Sequence, residues 1–166
     1  MLTLGYLYLG TRNTELAHRR TVRDLDDNGS LLVIRKTKSK AGVRTLRIPD
    51  ALSEILRSMV DGRDGDAPIF TDSNGNRMGP DCARKHVRRV CKLAGVPVMP
   101  PQALRRTWSS LATDASVAGL AVAAHLGHGS ARVAEQSYID RDTATAAQGE
   151  RVHNVIRGPW KQTGKH

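Results

Sequence analysis

Between Pro100 and Asp140 the chain reads PPQALRRTWSSLATDASVAGLAVAAHLGHGSARVAEQSYID, and the remainder is organised around this stretch. Leu104, Trp108 and Leu111 recur at i, i+4 and i+7, one face of an amphipathic helix, with Arg105 beside the apolar stripe. Val117 to His125 predicts a second helix. Gly127 is a natural stop for it, because glycine accepts the left-handed conformation just past a helix end. His128 then follows the stop, and Tyr138 lies ten residues further on. Fixed cations, an imidazole and a phenolic oxygen are the parts for chemistry on a phosphate ester.

The earlier chain predicts an ordered series of elements. The apolar run MLTLGYLYL reads as the last turns of a buried helix, with a buried strand as the competing reading. After Gly10–Leu16 (GTRNTEL), Asn28-Gly29 marks a tight turn, since both residues tolerate positive φ. Leu31–Arg35 and Arg44–Ile48 form a hairpin around a turn at Ser39–Val43, with a basic tip of Arg35, Lys36, Lys38, Lys40, Arg44 and Arg47. Pro49 ends the hairpin. Asp50 is expected to cap a helix that buries Leu52, Ile55, Leu56 and Met59.

Gly79-Pro80-Asp81 starts the next helix, with Pro at the first helical position and an acid in the first turn. This helix is expected to bury Ala83, Val87, Val90, Cys91 and Ala94 and to end at Gly95. Its other side carries Arg84, Lys85, Arg88, Arg89 and Lys92, with no acid from Arg84 to Lys92. A merely solvated helix would mix signs and gain i,i+4 pairs, so contact with DNA is expected here. Trp108 and His125 read as core residues. A short helix around Thr143–Ile156 is expected before Gly158-Pro159 breaks it.

Charge narrows the partners. The 166 residues suit one domain and carry a formal net charge of +10, which favours a nucleic acid. Aromatics make up only 4%, against a module that stacks unpaired bases on aromatic platforms. Cys82 and Cys91 are the only cysteines. On one helix they would stand roughly 13–14 Å apart, too far for a disulfide. A reduced, cytoplasmic protein is expected, and Leu2–Leu9 is too short to cross a bilayer.

The set GTRNTEL, the basic hairpin TKSKAGVRTLRIP, LRRT, LGH and a tyrosine ten residues after the histidine resembles the catalytic domain of tyrosine recombinases, the phage integrase family. The resemblance covers about residues 4 to 140. It implies an α+β fold, mostly helical, with a small antiparallel β-hairpin sheet at one edge. It implies a catalytic domain over 1–140, without the family's amino-terminal helices and core-binding domain, and a tail over 141–166 whose helix would dock on a neighbouring protomer.

The residue roles implied by the resemblance follow the chemistry of the ester. Arg12 and Arg105 would grip the non-bridging oxygens with their planar forks of donors, supported by Glu15. Tyr138 would attack to form a 3′-phosphotyrosyl intermediate. Lys38 would protonate the 5′-oxygen, with Lys36 and Lys40 as alternatives if the hairpin turn shifts by one residue. His128 would donate to the phosphate or help the tyrosine lose its proton. Gln102 stands where the family usually has histidine, and can donate but cannot carry charge. Arg106 replaces a frequent histidine and reads as a DNA contact, together with Lys36, Lys40, Arg44, Arg84, Lys85, Arg88, Arg89 and Lys92. No cofactor or metal is implied, since the cations are side chains. The partners implied are double-stranded DNA, in a bacterial or phage-host cytoplasm, and further copies of the chain in a tetrameric synapse. A type IB topoisomerase shares this chemistry, but the spacing from LGH to the tyrosine is more like that of integrases. The competing reading is a truncated, non-catalytic DNA-binding remnant, which Gln102 would suit.

Overall fold

The computed structural model describes residues 1–35, 43–127 and 149–156. The amino-terminal apolar run is a helix, α1 (Leu2–Leu9), with Leu2, Tyr6 and Leu9 buried. It packs against α3 (Pro80–Leu93) and α4 (Pro101–Asp114). Gly10 ends α1 in the left-handed region at φ 57°, and its amide reaches the Tyr6 carbonyl at 3.1 Å. A Cβ at Gly10 would stand 3.0 Å from the Trp108 ring, so both the backbone and the space require glycine there.

A π-helical turn (Thr14–His18) and a 3₁₀ turn (Val22–Asp24) lead into the sheet. Three antiparallel strands, β1 (Leu25–Asp26), β2 (Leu31–Ile34) and β3 (Arg44–Arg47), lie in that order. The predicted Asn-Gly turn joins β1 to β2, with Asn28 at φ 56° and Gly29 at φ 78°. Side chains alternate across the sheet, so Leu32, Ile34 and Leu46 enter the core. Arg44, two residues before Leu46 on β3, points the same way and is buried. The two-residue strand β1 was not expected from the sequence. Most of the predicted hairpin turn lies outside the described residues.

α2 (Asp50–Val60) rests on the β1–β2 turn through a narrower strip than predicted. Leu52, Ser53 and Leu56 are buried, whereas Ile55 and Met59 remain 46% and 37% exposed. The turn backs directly onto the helix: a Cβ at Gly29 would meet Arg57 and Ser53. α3 starts at Pro80 as expected and buries Ala83, Val87 and Cys91, while Val90 is half-buried and Ala94 exposed. Both cysteines are free.

On α4, Leu104, Trp108 and Ala112 face inward, and Leu111 is half-buried. α5 (Gly119–Leu126) begins two residues later than predicted and stops at Gly127, at φ 66° and ψ 42°. Residues 149–156 are helical. Their Val152 and Ile156 complete a second apolar cluster with Trp108, Ala112, Val117, Val122 and Leu126. No helix among the described residues is long and apolar enough to cross a membrane.

Candidate active site

A helix ends with carbonyl groups that its own amides cannot reach. At the end of α1 these are met by side chains from three later elements. His153 Nε2 donates to the Tyr8 carbonyl at 3.1 Å, His125 Nε2 to Leu9 at 3.0 Å, and Arg105 Nη1 to Gly10 at 2.7 Å. The His125 ring also stacks on Trp108, 3.8 Å between centroids and 10° from parallel. This helix end is therefore where α4, α5 and the 149–156 helix meet, directly before Arg12.

Glu15 is the hub of the site. Its Oε1 accepts from Arg12 Nη1 at 2.7 Å, and its Oε2 from the Arg12 backbone amide at 2.9 Å. Arg44 lays its fork across the same carboxylate, Nη2 to Oε2 at 3.0 Å and Nη1 to Oε1 at 3.4 Å. Arg105 Nη1 stands 4.0 Å from Oε2. Burial alone would push the Glu15 carboxyl up. The hydrogen bonds and charge of Arg44, then those of Arg12, outweigh it and hold the group down at about 2. Burial, with repulsion from Arg12, lowers Arg105 to about 10, so it remains charged at neutral pH. Three guanidinium groups face one carboxylate, and the site is strongly cationic.

The two candidate arginines also fix the chain just before His128. Arg105 Nη2 donates to the Leu126 carbonyl at 2.6 Å, and Arg12 Nη2 to the Gly127 carbonyl at 3.3 Å. Their exposure differs. The Arg12 side chain is 39% exposed, whereas Glu15, Arg44 and Arg105 are at 4–5%. Arg12 is thus the guanidinium that presents an open edge for an anion, while Arg105 stands behind it.

The other candidates divide into three groups. Gln102 and Arg106 are exposed, Gln102 in the first turn of α4 one turn ahead of Arg105. Arg84, Lys85, Arg88, Arg89 and Lys92 are all exposed on the side of α3 opposite Ala83, Val87 and Cys91, and Arg84 is paired with Asp81. Lys36, Lys38, Lys40, His128 and Tyr138 lie outside the described residues.

Arg44 corrects the expectation of a surface contact to DNA: the strand period turns it inward, onto Glu15. The other described cations of the hairpin also face acids, Arg35 near Asp24 and Arg47 near Glu150. Sequence reasoning passed over two further residues that brace the site. Buried Arg20 donates to the Glu15 and Val33 carbonyls, and His153 has the role given above. The apolar alternation of Leu46 and Ile48 was a usable signal for Arg44. Arg20 had a weak signal in Asp24, four residues on, with which it pairs at 3.5 Å. His153 carries none, because its acceptor is a backbone carbonyl from a distant segment.

The model of the phage integrase family matches residues 2–145. Among solved structures the fold is similar to XerA recombinase, with a TM-score of 0.62 at 20% identity over 98% of this chain and 55% of that one. It is also similar to the Tn1549 transposon integrase in complex with transposon right end DNA, with a TM-score of 0.65 at 16% identity over 98% and 58%. This chain thus spans 55–58% of the length of these two proteins. No curated protein sequence matches it.

Proposed function

The chain belongs to the phage integrase family, and on that premise we propose that it breaks and rejoins DNA strands in site-specific recombination. The observation that carries this reading is the convergence of Arg12 and Arg105 on Glu15 and on the two carbonyls immediately before His128. Displacement at a phosphodiester builds charge on the non-bridging oxygens, and rigid, always-charged guanidinium donors suit that charge. Tyr138 attacks phosphorus through its phenolic oxygen, the bond to the 5′-oxygen breaks, and Lys38 supplies the proton that the leaving oxygen takes up. His128 donates to the phosphate or takes the phenolic proton, and Gln102 adds a neutral donor. The phosphotyrosyl ester retains the bond energy, so a free 5′-hydroxyl can reverse the step without ATP. Arg106, the exposed face of α3 and the hairpin lysines hold the duplex, and copies of the chain associate on it.

The test is a nicked suicide duplex whose cleavage releases a short fragment and cannot reverse. With EDTA present, wild type is expected to form an SDS-resistant protein–DNA adduct, and Tyr138→Phe none, at nearly unchanged DNA affinity. An absent wild-type adduct despite salt-sensitive binding would favour the non-catalytic remnant, for which Gln102 is the residue to revert to histidine.

The α3 face has its own test. Replacing Arg88 and Lys92 with glutamine is expected to weaken binding and to flatten the plot of log affinity against log salt, by about 0.9 for each phosphate that is no longer neutralised. Fluorescence anisotropy across a salt series measures this. An unchanged slope would place that face off the DNA.

A further inference from the structure

We propose that Arg44 is a positioning residue for the reaction, acting through Glu15 to hold the Arg12 guanidinium in its working orientation. This rests on the strand-cleavage reading above. Arg44 occupies a core-facing place on β3 in line with Leu46 and Ile48, where an apolar side chain would continue the stripe. Burying a guanidinium there costs free energy unless a well-formed pair offsets it. The offset is the two-pronged contact with Glu15.

The consequence lies on the far side of that carboxylate. Both Glu15 oxygens are also engaged by Arg12, one by its side chain and one by its backbone amide. Arg44 thus fixes the plane of the group from which Arg12 hangs, while its own side chain is nearly closed to solvent. Arg20, from the following turn, holds the Glu15 backbone carbonyl. The charged groups facing Glu15 are therefore Arg12 on its own loop, Arg20, Arg44 on β3 and Arg105 on α4. Removing Arg44 leaves the carboxylate to take up a proton or turn toward Arg105. Either movement releases Arg12, whose misplacement by about 1 Å is enough to cost on the order of a hundredfold in rate.

The experiment compares wild type, Arg44→Lys and Arg44→Met in single-turnover cleavage of the suicide duplex over a pH series, with affinity and salt slope measured separately. Arg44→Met is expected to slow cleavage about 10- to 100-fold with affinity and salt slope unchanged. Its pH–rate profile is expected to gain an acid limb at higher pH than wild type, because Glu15 loses its strongest opposing cation. Arg44→Lys should restore the charge and shift the limb back, but recover only part of the rate for want of a fork.

A fall in affinity and salt slope would make Arg44 a direct phosphate ligand and overturn the proposal. So would loss of thermal stability with a wild-type rate and profile. Should Arg44→Met fail to fold, Arg44→Lys and Glu15→Gln carry the test: Glu15→Gln must slow cleavage, and Arg44→Lys must add little in its presence. If wild type itself forms no adduct, the cleavage reading fails. Nitrogen-detected NMR of the Arg12 guanidinium still decides the positioning role, with rotation restrained in wild type and averaged in the variant. Equal rotation in both would overturn it.

Discussion

Arg105→Ala is expected to lose stability and cleavage together. Arg105 donates to the Gly10 and Leu126 carbonyls and lies beside a nearly closed carboxylate. Its loss strands two buried acceptors and removes one of the cations balancing Glu15. Deleting one member of a buried charged set costs about 3–5 kcal/mol, and on a chain of this length each kcal/mol moves Tm by roughly 2–4 °C. Calorimetry should therefore show a fall of about 6 °C or more. Adduct formation should drop by at least about a hundredfold, the usual scale for losing one donor to a developing oxyanion. Arg105→Lys separates the two effects: the charge returns part of the stability, but one ammonium cannot span two carbonyls and a phosphate. A lysine variant with full cleavage would remove Arg105 from the phosphate's donors.

Acid should dismantle the same site, and the direction follows from two groups. Burial holds the His125 imidazole neutral down to about 3, against an ordinary 6.5; the Leu9 carbonyl opposes this and the charge of Arg44 adds to it. Between those values the unfolded chain binds the proton and the folded chain does not, so stability falls as pH drops from 6.5 toward 3. Glu15 is shifted from 4.5 to about 2, so its contribution is complete above pH 4.5 and is lost as pH falls toward 2. The loss should begin on account of His125 at about 1.4 kcal/mol per pH unit and steepen once Glu15 joins. Urea unfolding at a series of pH values measures it. His125→Gln keeps a donor for Leu9 but does not titrate, and its curve should be flatter than wild type between pH 6.5 and 4.5. Parallel curves would remove His125 as the source.

Residues whose structure depends on near neighbours were legible in the sequence. Gly127 at a helix end, Asn28-Gly29, Pro80 at the start of α3 and the Leu104–Trp108 stripe each act over a turn or two. So does the Arg12–Glu15 pair, three residues apart. The errors arose where distant packing decides. Ile55 and Met59 are apolar at helical spacing, yet the small β1–β2 turn covers only Leu52, Ser53 and Leu56. Arg44 sits among cations in sequence, and that company concealed the period of two that sends it inward. β1 is two residues long and offers no pattern to read. The arginine pair was singled out through its order along the chain, but its contacts with Glu15 and the end of α1, and Arg44's share in them, arise only on folding.

The three donors that close α1 lie far along the chain from their acceptors, by 95 positions for Arg105, 116 for His125 and 145 for His153. During synthesis α1 leaves the ribosome before the other elements described, yet its final carbonyls are not all met until residue 153 has followed. Interactions so widely spaced form late, since loop closure precedes the gain they bring. The brace behind the arginine cluster is therefore completed only after residue 153 has been made. A prematurely released polypeptide ending before residue 153 would bear both arginines without the completed brace behind them.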